Sequence, residues 1–147
     1  MKIKVAWIGK TKDTAVAALT QEYLQRISRY VPVEGLGMRD EADLLAKFGP
    51  TSKGAKSTLV LMDSRAKEYT SEQFAKFLGD YQDRNPLPLI FAIGGADGFT
   101  AAAKSAAHSV ISLGQMTLAH ELARVVLLEQ IYRAFTILKG HPYHWGH

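Results

Sequence analysis

Apolar residues along the chain fall into two patterns, short runs typical of strands and longer stripes typical of helices. Ile3, Val5 and Trp7 alternate with other residues and predict a first strand that ends at Gly9. Apolar side chains then recur at helical spacing over residues 13–30, until Pro32 stops the helix. The two patterns repeat. Further strands are predicted at 33–38, 58–62, 88–93 and 110–113, and further helices at 40–48, 70–84, 100–107 and 118–139.

This alternation of strand and helix indicates an α/β fold, a parallel sheet with helices on both faces. The only linker-like stretch, residues 51–56, is too short to separate domains, so residues 1–147 are expected to form a single domain. The last helix is apolar over more than half of its circumference, which is more than one face of a sheet would cover. We interpret the surplus as a dimer interface, with deep burial inside one chain as the alternative.

Two buried strands run directly into loops that contain glycine. The fourth strand reaches Gly94, Gly95 and Gly98, and the fifth reaches Gly114. Ligands of open α/β sheets bind at the carboxyl ends of strands, where glycine lets the backbone approach them closely. We therefore expect these glycines to line one crevice. For either loop taken singly, a purely geometric role in the turn remains open.

Several classes of function are excluded or disfavoured. The first of the two loops lacks the G-x-G-x-x-G spacing of a dinucleotide site, so a nucleotide-binding oxidoreductase is disfavoured. A Walker A loop is also disfavoured, because no Gly-Lys-Ser/Thr sequence follows the glycines. The absence of cysteine excludes disulfides, thiol catalysis and cysteine-ligated zinc. The apolar part of the N-terminus is too short for a signal peptide, and no stretch approaches the ~18 apolar residues of a membrane span. We expect a cytoplasmic protein without a membrane segment.

Basic residues are concentrated at the two ends of the chain. The net charge is +4, and all five histidines follow Gly98. A basic surface that binds a polyanion, most simply nucleic acid, is one interpretation of this distribution. Ordinary solvated helix faces are the alternative.

Motifs spread over the whole chain resemble those of the RlmH family. These are SPOUT-class methyltransferases that modify a pseudouridine in large-subunit ribosomal RNA. Each motif alone is weak, but together they are specific. The motifs are residues 93–99, 112–120, Arg124, 129–134 and 141–144, together with the opening strand, residues 22–26 and the strand end at Asp63.

The resemblance implies a parallel-sheet SPOUT-type fold with a C-terminal trefoil knot, and a homodimer. It also implies S-adenosylmethionine as the methyl donor and N3 of a pseudouridine in 23S ribosomal RNA as the acceptor. Free ribosomal RNA or the assembled ribosome would be the partner, and no metal would be needed.

Carried over residue by residue, the resemblance also implies a set of site residues. His144 would accept the N3 proton, and Tyr143 would donate to a ring oxygen or stack on the base. His120 would either orient its loop or act on the substrate. The donor would be held by Met62, Asp63, Gly95, Gly114, Gln115, Met116, Thr117, Leu118 and Ala119. The RNA would be held by Arg124, Arg133, Lys139 and His141.

The chain departs from the family pattern at two positions. Trp145 stands where family members commonly have arginine, and Asp97 stands where many have glutamate. If that arginine contacts RNA phosphate, its role here is lost, transferred to Lys139 or Arg133, or replaced by stacking on Trp145. These departures leave an alternative open, a non-catalytic RNA- or ribosome-binding protein of the same fold.

Overall fold

The computed structural model describes residues 1–144, all of the chain except its last three residues. It contains one five-stranded, fully parallel sheet with the strand order β2-β1-β4-β3-β5. The predicted alternation of strands and helices and the parallel sheet are confirmed. The strands are β1 Ile3–Ile8, β2 Val33–Met38, β3 Thr58–Glu68, β4 Leu89–Ile93 and β5 Ser109–Ser112; the helices are α1 Thr14–Ser28, α2 Glu41–Phe48, α3 Ser71–Arg84, α4 Ala101–Ala106 and α5 His120–Lys139.

Side-chain caps fix the starts of the first four helices. Asp13 accepts hydrogen bonds from the first turn of α1, and Asp40 does the same for α2. Thr70 and Gln73 form the reciprocal capping box predicted for α3, and Thr100 caps α4. These caps satisfy backbone N–H groups that have no partner inside the helix.

Two cores lie on the two faces of the sheet. On one face, side chains of α1, α3 and α5 such as Ile27, Leu78 and Ile131 pack against β1 and β4. On the other face, Leu44 of α2 and Ala103 of α4 pack against residues from the same strands that point the other way. The predicted coverage of both faces is confirmed.

The broad apolar surface of α5 is mostly buried within the chain. The helix packs against both α1 and α3 as well as the sheet. Leu127, Leu128 and Ile131 are fully buried as a result. Burial in a single chain, the alternative interpretation, thus accounts for most of this surface. Leu122 and Leu138 remain exposed on the helix, and the homodimer remains a proposal.

Strand β3 is longer than its apolar pattern predicted. It continues past Met62 to Glu68, because Met62 and Lys67 both lie opposite Ile111 of β5. Residues 63–66 therefore form a large bulge, a feature that bends a strand and redirects its side chains. The bulge projects at the carboxyl end of the sheet, where it contributes to the site described next.

Candidate functional site

A cleft of about 440 Å³ lies at the carboxyl edge of the sheet, a volume typical of pockets for small ligands. The ends of β3, β4 and β5 and the start of α5 form it. The structure brings together the four glycines that the sequence predicted to share one crevice. The lining residues are Met62, Asp63, Ser64, Arg65, Ile93, Gly94, Gly95, Ala96, Asp97, Gly98, Leu113, Gly114, Gln115, Met116, Thr117, Leu118, His120 and Ala123.

The residues expected to hold the methyl donor converge on this cleft. All of them line it except Ala119, which is the N-cap residue of α5 between the lining residues Leu118 and His120. Residues 114–119, the donor loop, lie outside helices and strands, although Ala119 O accepts a hydrogen bond from Ala123 N in the first turn of α5. Met116 is 85% exposed and Leu118 is 37% exposed in this loop. The loop thus offers backbone hydrogen-bonding groups beside apolar side chains.

The turn at Gly114 is built around Ser112, a residue that the sequence-based site did not include. Gly114 has a φ of +149°, a conformation that favours glycine. Its N–H donates to Ser112 Oγ at 3.0 Å, and that hydroxyl lies 2.8 Å from Gly114 O and 3.2 Å from Ser64 O. Ser112 is buried and thus links the donor loop to the bulge. Its sequence signals are its place at the start of the family motif at residues 112–120 and its polar side chain at the end of an apolar strand.

Asp63 forms an ion pair and a hydrogen bond within its own chain. Its Oδ2 lies 2.5 Å from Lys104 Nζ, and its Oδ1 accepts from Arg65 N at 2.8 Å. The hydrogen bond from Lys104 lowers the pKa of Asp63, which outweighs the opposing effect of burial. Asp63 is therefore ionised at neutral pH and fixes the shape of the bulge. Lys104, in a helix made of small residues, was not singled out by the sequence pattern.

The tail residues Tyr143 and His144 do not line the cleft of their own chain. Tyr143 packs edge-on against Tyr132, and its hydroxyl donates to Glu129 Oε2 at 2.8 Å. Burial, reinforced by this hydrogen bond, raises the pKa of Tyr143. The two ring nitrogens of His144 lie 3.2 Å from Arg133 Nη1 and 2.9 Å from Glu72 Oε1. The tail is thus docked on α5 and the start of α3.

The four basic residues expected to contact RNA have different surroundings. Lys139 and His141 are exposed, and His141 Nδ1 lies 2.5 Å from Tyr30 Oη. Arg133 is mostly covered and pairs with Glu129 at 2.8 Å. Arg124 is only 1% exposed, because α5 turns it inward, and its guanidinium therefore cannot reach RNA in this conformation. This burial corrects the expectation for Arg124.

Of the remaining sequence-based candidates, His120 and Asp97 both line the cleft. Trp145 lies outside the described residues. Within residues 1–144, the structure has no cluster of His, Cys, Asp and Glu side chains suited to a metal ion. No helix in the same range is both long and apolar enough to span a membrane.

Comparisons with known proteins identify the relatives of the chain. Residues 1–144 match the family model described as "Predicted SPOUT methyltransferase". A protein of Koribacter versatilis named ribosomal RNA large subunit methyltransferase H is 54% identical over 147 residues, all of both chains. A protein of the same name from Geobacter sp. (strain M21) is 46% identical, over 98% of this chain and 99% of its own.

Solved structures resemble the fold at low sequence identity. A probable methylase family protein from Haemophilus influenzae has a TM-score of 0.61 and 8% identity, over 96% of this chain and 69% of its own. A probable methyltransferase from Bordetella pertussis has a TM-score of 0.58 and 8% identity, over 90% of this chain and 93% of its own. Together with the full-length relatives, the fold and the family match confirm the resemblance: the chain belongs to the SPOUT methyltransferase family, in the group of ribosomal RNA large subunit methyltransferase H proteins.

Proposed function

We propose that the protein is an S-adenosylmethionine-dependent methyltransferase that methylates N3 of a pseudouridine in 23S ribosomal RNA. The observation that carries the proposal is the cleft at the ends of β3, β4 and β5, lined by the residues that the family resemblance assigns to the donor. The relatives named ribosomal RNA large subunit methyltransferase H, which match along the full chain, support the RNA substrate.

The cleft residues fit the proposed donor in shape and chemistry. Gly95 and Gly114 bring backbone close to the cleft without side chains, and a Cβ at Gly95 would have only Ile8 within 4 Å, at 3.7 Å. The exposed side chains of Met116 and Leu118 suit the faces of a purine ring, and the backbone groups of residues 115–118 suit its edge. When bound, the donor supplies an electrophilic methyl group on a sulfonium centre.

The protein must also remove the N3 proton and stabilise the charge that develops on the flanking ring oxygens. His144 has the right chemistry for the proton, and Tyr143 for a ring oxygen or for stacking. In the described conformation, however, the Tyr143 hydroxyl donates to Glu129, away from the cleft of its own chain. We therefore propose a homodimer in which the tail of one protomer completes the partner subunit's cleft. Leu122, an exposed apolar residue in the first turn of α5, suits such an interface.

Two further properties belong to the same proposal. We expect the chain path through the C-terminal third to form the trefoil knot that the family resemblance implies. We also expect the protein to work in the cytoplasm, where ribosomal RNA and assembled ribosomes are its substrates. Ligand binding and catalysis by the purified protein test the activity independently of both properties.

A methylation assay with a tritiated donor tests the function directly. The substrates are ribosomes, and large-subunit RNA carrying either pseudouridine or uridine at the modified position. We expect label in the pseudouridine-containing substrates and none in the uridine control, because pseudouridine is joined to its ribose through C5 and therefore carries a free N1–H, which uridine lacks. Donor binding without transfer to any of these substrates would overturn the enzymatic function and favour the non-catalytic RNA-binding alternative.

A further inference from the structure

Two side chains near the start of α5 fasten this helix to the loop between β1 and α1. Glu121 Oε1 accepts hydrogen bonds from Lys12 N at 2.8 Å and from Asp13 N at 3.3 Å. Arg124 Nη1 donates to Thr11 Oγ1 at 2.8 Å. We refer to these contacts as the α5 clamp. The clamp joins parts of the chain that are more than a hundred residues apart in sequence.

Arg124 is buried in surroundings that do not neutralise its charge. The guanidinium stacks over the Trp7 ring, with its central carbon 3.9 Å from the ring centroid. Its described hydrogen-bond partners are the hydroxyls of Thr11 and Thr20, and Nε has none among residues 1–144. Burial lowers the pKa of Arg124, and the nearby charge of Glu121 offsets this only in part.

Removal of a cation from water is costly, and no carboxylate among residues 1–144 forms an ion pair with Arg124. The hydroxyl hydrogen bonds and the stack over Trp7 offset this cost in part, and apolar replacements of buried charges with similar volume are often neutral or stabilising. Trp7 in turn packs directly against Gly35 of β2, where a Cβ would lie 2.7 Å from its ring. Arg124 is therefore held between Trp7 and the loop between β1 and α1.

The clamp contacts the end of α5 that has no side-chain cap of its own. Unlike α1 to α4, this helix has no side-chain cap, and its N-cap residue is Ala119. The donor loop leads directly into the helix, and His120 and Ala123 of the first turn line the cleft. Glu121 and Arg124 thus tie the first turn of the helix, which forms one wall of the cleft, to the loop between β1 and α1.

We propose that Glu121 and Arg124 are positioning residues that hold the donor loop in its ligand-binding conformation. The inference rests on the proposed function, because it takes the cleft as the donor site. A loop that is already ordered loses less conformational entropy when a ligand binds. Release of the clamp should therefore weaken donor binding while the fold persists.

The first test compares Glu121→Ala with Glu121→Gln by calorimetric titration with S-adenosylhomocysteine. Gln keeps the single oxygen that accepts both clamp hydrogen bonds, whereas Ala removes it. We expect about tenfold weaker binding for Ala, equivalent to ~1.4 kcal/mol, and near wild-type binding for Gln. Glu22→Ala is the matched control, because it removes a carboxylate that pairs with Arg26 on the surface of α1. It should bind like the wild type.

The second test uses Arg124→Met, which keeps an unbranched side chain over Trp7. We expect a melting temperature at or above that of the wild type, together with about tenfold weaker binding. Without any ligand, hydrogen exchange across residues 114–123 should be faster in this variant and in Glu121→Ala, and unchanged in Glu22→Ala.

The outcomes separate the two proposals. No binding by the wild type would overturn the proposed function, whereas the exchange measurement would still test the clamp. Wild-type binding with undiminished affinity in Glu121→Ala would overturn the clamp proposal. The clamp proposal would also be overturned if Arg124→Met lost affinity together with a clearly lower melting temperature while Glu121→Ala had no effect, because that combination indicates a merely structural role.

Discussion

The cleft and the tail differ in how their side chains are used within the chain. In the cleft, contacts within the chain, such as the ion pair between Asp63 and Lys104, fix the positions of the walls. Glycine backbone and exposed apolar side chains face the space proposed for the ligand. In the tail, the polar groups of Tyr143 and His144 are occupied by Glu129, Arg133 and Glu72. The comparison shows that the cleft is already formed within one chain, whereas the tail lies outside that cleft in the described conformation.

Truncation after Gly140 should have the largest effect on methylation, because it removes the tail and leaves the cleft intact. Gly140 ends α5 in a left-handed conformation, so a chain that stops there keeps the complete helix. We expect it to fold, dimerise and bind S-adenosylhomocysteine with nearly full affinity. Its methylation rate on ribosomes should fall by roughly 10³-fold or more. Near-normal activity would mean that the chemistry does not reside in the tail.

His144→Ala tests how much a single side chain of the tail contributes to methylation. If His144 accepts the N3 proton, methylation should fall roughly 10²- to 10⁴-fold, because general bases contribute about that much. Donor affinity measured on the same preparation should not change. A loss of only a few fold would instead assign His144 to ordering the tail through Arg133 and Glu72.

Gly95→Val tests the cleft by filling it. The new side chain has room in the fold, since its Cβ would meet only Ile8 at 3.7 Å, but it enters the space proposed for the donor. We expect roughly a 10²-fold loss of S-adenosylhomocysteine affinity, ~2.7 kcal/mol, with an unchanged melting temperature. Gly54→Val, in an exposed loop away from the cleft, is the matched control. Gly114→Val would be a less specific test of donor binding than Gly95→Val, because a φ of +149° would strain the backbone of a valine.

Asp63→Asn should show the smallest effect, a loss of stability that depends on pH. Lys104 lowers the pKa of Asp63, so the stabilisation is complete above the unfolded pKa of about 3.9 and is lost as the pH falls through the lower folded value. Asn should therefore cost about 1 kcal/mol at pH 7, and the difference should shrink below pH 4. Melting curves from pH 3 to 7 measure it. A difference that does not vary with pH would rule out the ion pair as its source.

Local patterns predicted the elements that local interactions form. The Thr70–Gln73 capping box, the glycine at the end of α5 and the apolar strands all depend on neighbours in sequence, so their signals were present in the sequence. The second half of β3 was missed because Lys67 and Glu68 are polar and pair only through a bulge. The burial of α5 between two helices depends on long-range packing that periodicity does not encode.

The site residues also divide into those that local motifs point to and those that depend on long-range contacts. The glycines and the motifs of the resemblance pointed to the loops of the cleft, and the structure brings these loops together. The family resemblance placed Arg124 among the residues that would hold RNA, whereas the structure buries it. Its inward position depends on Trp7, Thr11 and Thr20, which no spacing rule connects to it. The docking of His144 on Glu72 likewise joins residues 72 positions apart.

Amide chemical-shift mapping with S-adenosylhomocysteine tests the donor site most directly. It reports both whether the ligand binds and which residues it approaches, in the full-length protein and without any assumption about catalysis. We expect saturable shifts concentrated at residues 62–65, 94–98 and 113–120. An absence of shifts, or shifts confined to another surface such as the groove between α1 and β2, would contradict the assignment of the cleft to the methyl donor.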